Sequence, residues 1–265
     1  MSSSARPPAG RPAADAPPAA LREALAGARR IAVLTGAGMS AESGIPTFRG
    51  ARNGLWARFD PQQLATAEAF EADPERVWAW YEWRRLLVAQ ALPNAGHRAL
   101  AALAARLPSG GSLRIVTQNV DDLHERAGSQ AVTHLHGSLF APRCFDCGRP
   151  FDTPLSGQNA AAPREHLAPP RCPACGGAVR PGVVWFGVAL PEGPWRQALE
   201  AVAQADLLLV VGTSGLVQPA ASLPAVARRQ GTPVAVINPE PMAGTAPGDL
   251  SWATTAAEGL PRLLA

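Results

Sequence analysis

The sequence contains no lysine, so all 24 of its basic residues are arginines. Set against 21 acidic residues, they give a formal net charge of +3. A nucleic-acid-binding surface normally concentrates far more positive charge along one face or one helix. The charge therefore argues against a nucleic-acid partner, and the missing lysine is expected from the composition bias of an arginine-rich genome.

Long apolar runs and abundant cysteine are absent as well. No stretch approaches the roughly 20 consecutive apolar residues that a bilayer-spanning helix needs, and the mean hydropathy is −0.01. Four cysteines in 265 residues are too few for a disulfide scaffold. No apolar secretion signal precedes the folded part, and residues 1–20 are rich in proline, alanine and serine. We expect a disordered tail and a cytoplasmic protein without membrane contact.

Short apolar runs that end in small or polar residues alternate with helical patterns. The runs are Ile31 to Thr35, Leu113 to Thr117, Asp206 to Val211 and Pro233 to Asn238. Helical patterns cover residues 21–30, 94–105 and 195–205. Buried strands that alternate with helices predict an α/β fold with a doubly wound, Rossmann-like parallel sheet.

Two segments interrupt this alternation. Residues 57–92 are helical and aromatic, and residues 139–180 contain all four cysteines among prolines and glycines. We expect both to leave the sheet and to form a smaller inserted domain with a helical module and a zinc module. The Rossmann part then comprises residues 21–56, 93–138 and 181–265.

The cysteines form two pairs, Cys144-x-x-Cys147 and Cys172-x-x-Cys175. Two-residue spacing lets both thiolates of a pair face one ion, and two pairs complete a tetrahedral Cys₄ shell. With no position left for water, the predicted zinc is structural. The alternatives are free or redox-active cysteines and a zinc ribbon that binds nucleic acid. The ribbon is disfavoured because the intervening loop has few aromatic residues and only scattered arginines.

A glycine-rich turn, G-A-G-M-S-A at 36–41, follows the first predicted strand. Glycines at such a turn allow a tight bend and a close approach of the backbone to a diphosphate. The turn is expected to open into a loop with Pro46, Phe48 and Arg49. In a dehydrogenase, by contrast, the turn runs directly into a helix.

Further motifs follow in one order along most of the chain. They are E-S-G-I-P-T-F-R at 42–49, T-Q-N-V-D-D-L-H at 117–124, H-L-H-G at 134–137, V-V-W-F-G at 183–187, G-T-S at 212–214 and N-P-E at 238–240. Together with the turn and the cysteine pairs, this series strongly resembles the sirtuin family. The resemblance implies NAD-dependent removal of acyl groups from protein lysines, which yields nicotinamide and O-acyl-ADP-ribose. It also implies a Rossmann domain with a smaller helical and zinc-binding domain.

The resemblance implies a set of residues that bind NAD. These are Gly36, Ala37, Gly38, Ala41, Glu42, Thr47, Phe48, Arg49, Gln118, Asn119, Asp121, Gly212, Thr213, Ser214, Asn238, Glu240 and Ala256. Within it, Asn119 and Asp121 would face the nicotinamide ribose and carboxamide. The alternative for these two is that they form a turn and cap the next helix.

The resemblance also identifies His136 and Asn119 as the catalytic residues. The implied reaction needs a base that titrates near neutral pH, and histidine is the usual choice. We expect His134 to face away from His136 and to have a structural role.

The acylated peptide is implied to add as a strand along Val184, Trp185, Phe186 and Gly187. Many sirtuins have glutamate directly after this segment, whereas this chain has Val188. We expect the difference to change the preference for residues around the target lysine without loss of catalysis.

The acyl group is expected to meet Tyr81 and one of two arginines. Helical spacing brings Tyr81 near both Arg84 and Arg85 and does not choose between them. The series Y-E-W-R resembles the Tyr-x-x-Arg motif of desuccinylase-type sirtuins, which selects Arg84 and implies binding of a succinyl or malonyl carboxylate. Ala65 falls where other subgroups have a bulky residue, so the pocket should be enlarged, and acetyl-lysine should remain a substrate.

Four other functions are considered beside this one. The enzyme could be mainly a deacetylase, or a protein ADP-ribosyltransferase that uses the same cleavage of NAD. A sensor that binds NAD without turnover would lack the base or the Asn119–Asp121 pair, both of which are present. A plain dehydrogenase would reduce the nicotinamide instead of releasing it. The expected partners are acylated lysine side chains, and the expected state is a monomer.

Overall fold

A computed structural model describes residues 16–46, 60–152 and 163–265. Most of the expected N-terminal tail lies outside these ranges. So do three of the residues expected to bind NAD, Thr47, Phe48 and Arg49.

Six parallel strands form a central sheet with the order β3-β2-β1-β6-β7-β8. They are β1 (Arg30–Thr35), β2 (Ser112–Thr117), β3 (Val132–His134), β6 (Leu207–Val211), β7 (Val234–Ile237) and β8 (Leu250–Trp252). The direction of winding reverses between β1 and β6, and the carboxyl ends of strands at such a point form a ligand crevice. The predicted α/β, doubly wound class is confirmed.

Helices cover both faces of the sheet. On one face lie α1 (Ala19–Gly27), α6 (Ala95–Arg106) and α10 (Ala256–Leu263); on the other lie α8 (Glu192–Ala203) and α9 (Leu223–Arg229). Successive β1 side chains alternate between the two cores: Ile31 packs with the first group and Ala32 with the second. Burial on both faces explains why these strands are continuously apolar.

The turns between strands and helices contain two further short helices. The first, α2 (Gly38–Ala41), follows β1, and the second, α7 (Leu123–Arg126), follows β2. The predicted glycine-rich turn therefore contains one turn of helix before its loop. The first predicted helix also ends earlier than expected, because Arg30 already pairs with Ser112 in the sheet.

A smaller inserted region has its own apolar core. It contains α3 (Pro61–Leu64), α4 (Ala67–Ala72), α5 (Pro74–Gln90) and the antiparallel pair β4 (Arg143–Cys144) and β5 (Val179–Arg180). Asp73 caps α5 by accepting from the Arg76 amide at 3.0 Å, and Pro74 occupies its first turn. Buried side chains surround α5 on all sides, which fits a helix enclosed by other elements. Among the described helices, none is long and apolar enough to cross a membrane.

Two histidines, His97 in α6 and His124 in α7, are buried in the described structure. The rings of His97 and His124 are 4.8 Å apart between centroids. His97 accepts from the amide of Asn94 in a capping box at the start of α6, and His124 lies 3.2 Å from the Thr35 hydroxyl. Burial lowers the pKa of His97 to about 4 and that of His124 to about 3. Both imidazoles are therefore neutral in the folded protein at pH 7.

This pair predicts that the fold loses stability in mild acid. The unfolded chain binds protons on these histidines below its ordinary pKa of about 6.5, whereas the folded chain does not. The free energy of unfolding is therefore fully maintained above pH 6.5 and falls by up to about 1.4 kcal/mol per pH unit per histidine below it. Thermal unfolding followed by circular dichroism between pH 7.5 and pH 4.5 measures the effect.

The variant His97→Gln is the matched test, because glutamine at this position can still complete the capping box. We expect its melting temperature to fall less between pH 7 and pH 5 than that of the native protein. Parallel curves for the two proteins would show that His97 does not cause the acid sensitivity.

Candidate active site and zinc centre

The turns after β1 and β6 pack directly against each other. A Cβ on Gly38 would lie 2.7 Å from the Gly212 Cα, and one on Gly36 would lie 2.8 Å from the Gly212 carbonyl oxygen. The Gly38 amide also donates to that oxygen at 2.8 Å. Only glycine fits at these positions, so the two expected NAD-binding turns form one continuous backbone surface.

A buried polar group lies beside these turns. The Ser40 hydroxyl donates to Asp121 Oδ2 at 2.9 Å and accepts from the Asn119 amide Nδ2 at 3.1 Å. Asp121 Oδ1 accepts from the Leu123 amide, so Asp121 also supports the turn into α7. Burial raises the pKa of Asp121, and the bonds from Leu123 and Ser40 oppose this shift. The alternative role in a turn therefore occurs for Asp121, whereas the side chain of Asn119 bonds to Ser40.

Ser40 was not among the residues expected from sequence to act at the site. Its signal was present, because it is the only residue of the G-A-G-M-S-A turn with a hydroxyl. Its side chain is buried and joins the turn after β1 to the loop after β2.

Gln118 connects the loop after β2 to the turn after β6. Its Nε2 donates to the Thr213 hydroxyl at 3.0 Å. Thr35 at the end of β1 similarly donates to the Thr117 hydroxyl at 2.8 Å. The carboxyl ends of the three central strands β2, β1 and β6 are thus tied together by side chains at one edge of the sheet.

His136 lies two residues beyond the end of β3, and its ring contacts the loop that follows β2. Its Nδ1 is 2.9 Å from the carbonyl oxygen of Gln118. Because a carbonyl oxygen only accepts, Nδ1 carries the hydrogen and Nε2 keeps its lone pair. Burial lowers the pKa of His136, and the hydrogen bond to the Gln118 carbonyl opposes this shift. The neutral ring therefore has a free basic nitrogen at pH 7.

The expectation that His134 faces away from His136 is wrong. Its Nδ1 lies 3.1 Å from the carbonyl oxygen of Asn119, and its Nε2 lies 2.7 Å from Glu125 Oε1. Side chains two residues apart on a strand share a face, so both rings reach the same loop. Burial lowers the pKa of His134, but the bond to and charge of Glu125, together with the contacts of Asn119 and Asp121, outweigh it and the net shift is upward.

Three further expected NAD-binding residues within the described ranges, Glu42, Asn238 and Glu240, follow strands of the same sheet or lie beside α10. Glu42 Oε2 accepts from the amide of Ala257 at 3.0 Å, which brings Glu42 to the start of α10 beside Ala256. Asn238 follows β7 and its Nδ2 donates to the carbonyl of Glu240 at 2.7 Å.

The segment expected to bind peptide runs past His136. Gly137 and Val183 form an antiparallel bridge, and the Val184 amide donates to the His136 carbonyl at 2.8 Å. The Phe186 amide donates to the carbonyl of Ala65 at 2.9 Å. Residues 183–187, here called the peptide segment, therefore connect the histidine to the inserted region.

The structure distinguishes the two arginines that follow Tyr81. Arg85 is buried and its Nη1 forms an ion pair with Glu82 Oε1 at 2.8 Å. The Arg84 guanidinium instead lies over the rings of Trp80 and Tyr81, with its Cζ 4.9 and 5.8 Å from their centroids. Burial raises the pKa of Tyr81 to about 12, and burial lowers the pKa of Arg84. The predicted pair Tyr81 and Arg84 is thus in contact.

The four cysteines form one cluster in the inserted region. Their sulfur atoms all lie within 4.8 Å of one another, with Cys144 and Cys175 at 3.4 Å and Cys147 and Cys172 at 3.7 Å. A tetrahedral zinc–thiolate site with bonds of about 2.3 Å requires sulfur separations of roughly 3.8 Å. The cluster therefore fits a structural zinc ion held by four thiolates. It lies in the region of the β4–β5 pair.

Known proteins share this fold and these motifs. The family model described as "Sir2 family" matches residues 36–219. The NAD-dependent protein deacylase 1 of Pseudomonas aeruginosa is 56% identical over 92% of this chain and 97% of that protein. The NAD-dependent protein deacylase of Mycobacterium tuberculosis is 52% identical over 89% of this chain and 96% of that protein.

Solved structures agree with these sequence matches. A Sir2 homologue in complex with NAD has a TM-score of 0.82 and 45% identity, and the match covers 92% of this chain and 91% of that one. A complex titled Sir2-p53 peptide-NAD+ has a TM-score of 0.79 and 30% identity, with 93% and 96% covered. The chain belongs to the Sir2, or sirtuin, family.

The cysteine cluster predicts one zinc ion per chain that stabilises the inserted region. Elemental analysis of the purified protein should give one equivalent of zinc. A strong chelator should lower the melting temperature, because the metal binds the folded state far better than the unfolded chain. The variant Cys147→Ser should contain less than one equivalent and respond less to the chelator. Protein that contains no zinc and whose melting is unaffected by chelation would contradict this assignment.

Proposed function

We propose that this sirtuin, an NAD-dependent protein deacylase, removes succinyl and malonyl groups from protein lysines and also accepts acetyl-lysine. The observation that carries the catalytic part is the bond from His136 Nδ1 to the Gln118 carbonyl. It leaves Nε2 as a proton acceptor beside the loop that contains Asn119. The relatives named above support the general activity, and Tyr81 with Arg84 supports the choice of acyl group.

The described NAD-binding residues fit a dinucleotide. The contact between Gly38 and Gly212 keeps a surface of bare backbone at the switch point of the sheet, where a diphosphate can approach closely. NAD supplies a ribose carbon that becomes electrophilic when nicotinamide leaves, and ribose hydroxyls that accept the acyl group. Ser40, Asn119 and Asp121 would orient the nicotinamide ribose, and Thr213, Ser214, Asn238 and Glu240 would hold the phosphates and the adenosine ribose.

His136 would then remove a proton from a ribose hydroxyl that attacks the carbon of the former amide. Burial keeps the ring neutral and ready to accept this proton. Asn119 is held by contacts to two other segments of the chain. Its Nδ2 donates to the Ser40 hydroxyl, and its carbonyl oxygen lies against the His134 ring. This fixes the amide that would contact the nicotinamide end of NAD.

Replacing His136 tests the assignment of the base. We expect His136→Asn to lower kcat at least about a hundredfold with both succinyl- and acetyl-peptides, which is the usual contribution of a general base. The dissociation constant for ADP-ribose and the zinc content should stay unchanged. His134→Asn is the matched control, and should lose much less. Turnover by His136→Asn within tenfold of the native protein would show that another group is the base.

The acyl specificity rests on the charge beside Tyr81. Arg84 lies against aromatic rings, and burial lowers its pKa while the charges of Tyr81 and Asp121 oppose that shift. The neighbouring Arg85 forms an ion pair with Glu82. A carboxylate at the end of the acyl chain would supply a charge-assisted partner for Arg84 and could accept from the Tyr81 phenol, which stays protonated. Ala65 has a small side chain and lies beside the peptide segment, because its carbonyl accepts from the Phe186 amide.

Arg84→Met tests this specificity. We expect kcat/KM for succinyl-peptide to fall about ten- to a hundredfold, the worth of one charge-assisted bond, and that for acetyl-peptide to change less than about threefold. The control is the double variant Glu82→Gln, Arg85→Met, which removes an arginine from the same helix without leaving a buried carboxylate unpaired. Equal losses on both peptides in Arg84→Met would refute the acyl assignment.

We also infer the domain division expected from the sequence. The apolar core of the inserted region is separate from the two cores of the sheet and combines residues of α3 to α5 with Leu139, Val183 and Trp185. This supports a small domain from residues 57–92 and 139–180. Val183 and Trp185 belong to the adjoining Rossmann segment, so the peptide segment lies where the two parts meet.

A further inference from the structure

Arg180 is a buried arginine that none of the roles above uses. It is the last residue of β5 and is 8% exposed. Its Nε donates to the carbonyl of Pro181 at 3.1 Å, and one Nη donates to the carbonyl of Val183 at 2.7 Å. Among the described residues, the charged or titratable groups that influence it are Arg143 and Tyr81, and neither is a carboxylate. A charge buried without a counterion is costly, so these contacts must compensate for it.

The guanidinium also packs on the largest side chain of the peptide segment. Its Cζ is 3.4 Å from the centroid of the Trp185 ring, a close cation–π contact. Trp185 is buried and lies against Phe70 in α4, with their ring centroids 5.5 Å apart. Arg180 thus holds both the backbone and an aromatic side chain of the segment.

The hydrogen bonds show which edge of the segment Arg180 contacts. The Ser138 amide donates to the Gly182 carbonyl and the Val184 amide donates to the His136 carbonyl. Because Gly137 and Val183 are the non-hydrogen-bonded pair between these two bonds, the amide and carbonyl of Val183 point to the opposite edge. The Val183 carbonyl on that edge is the one that Arg180 satisfies.

Arg180 belongs at the same time to the cysteine-containing region. Its neighbour Val179 pairs with Cys144, and Arg180 itself pairs with Arg143 across the β4–β5 ladder. The zinc ligand Cys144 is therefore one strand away from the residue that holds the peptide segment.

We propose that Arg180 is a positioning residue that fixes the edge of the peptide segment, residues 183–187, on the side opposite Gly137, and so couples the zinc region to affinity for the acylated peptide. The inference rests on the proposed function, because it assumes that acyl-peptide adds along this edge. Arg180 makes no bond to the residues expected to bind NAD among those described, so it should act on peptide alone.

Peptide binding tests this directly and does not depend on turnover. Fluorescence anisotropy with a labelled succinyl-lysine peptide and its acetyl-lysine counterpart, both in the presence of ADP-ribose, gives the dissociation constants. For Arg180→Met we expect affinity for both peptides to fall about tenfold or more, since two charge-assisted bonds are lost. Arg180→Lys keeps the charge and can reach one carbonyl, so it should fold and lose an intermediate amount.

Arg143→Met is the matched control, because it removes the arginine opposite Arg180, whose side chain has no hydrogen bond to the peptide segment in the described structure. It should bind peptide like the native protein. Zinc content and the ADP-ribose dissociation constant should be unchanged in all three variants, and KM for peptide should rise without an equal fall in kcat.

Three results would overturn the proposal. They are peptide affinity within twofold of native in both Arg180 variants, an equal loss of ADP-ribose affinity, and a loss confined to the succinyl peptide, which would make Arg180 a second cation for the acyl carboxylate. Failure of the native protein to consume NAD with either peptide would instead refute the proposed function alone, because the binding comparison still decides the role of Arg180.

Discussion

No side chain fits between the turn that follows β1 and the turn that follows β6. The Cβ positions of Gly36 and Gly38 are filled by the backbone of residues 212 and 213, so these turns must remain glycine and must remain in contact. This steric constraint brings the ends of the two central strands together. Ser40, which follows Gly38 on the same short helix, is thereby placed against Asn119 and Asp121 from the next strand. The contact between the two turns therefore positions the buried polar residues of the candidate site.

The electrostatics of the site follow from burial at this edge. The pKa values of His97, His124 and His136 are all lowered, because burial disfavours an imidazolium, whereas that of His134 is raised by Glu125. Three of these four imidazoles are therefore neutral at pH 7. Of the three, His136 has its ring held by the Gln118 carbonyl beside the loop that contains Asn119, and it is the one proposed as the base.

Much of the fold and of the candidate site could be predicted from the sequence, because these features depend on local patterns of residues. Continuous apolar runs such as Leu207 to Val211 identify buried parallel strands, and the spacing of the cysteines identifies a metal cluster. The motifs identified the family. The orientation of His134 was wrong for a different reason, because side chains two residues apart in an extended segment share a face. Periodicity likewise could not choose between Arg84 and Arg85, since the choice depends on which one Glu82 neutralises.

The environment of the buried Arg180 is the least predictable feature. Arg180 lies in an unremarkable sequence, A-V-R-P-G, and only the structure shows that its guanidinium is enclosed by carbonyl oxygens and an indole ring. Together with Arg84 it makes the region around Tyr81 electropositive.

The central claim is that NAD is consumed as a reactant and that its ribose receives the acyl group. Mass spectrometry of a complete reaction with succinyl-peptide tests it most directly. The account predicts that nicotinamide, deacylated peptide and O-succinyl-ADP-ribose appear in equal amounts. Release of free succinate with NAD left intact, or the appearance of reduced nicotinamide, would contradict it.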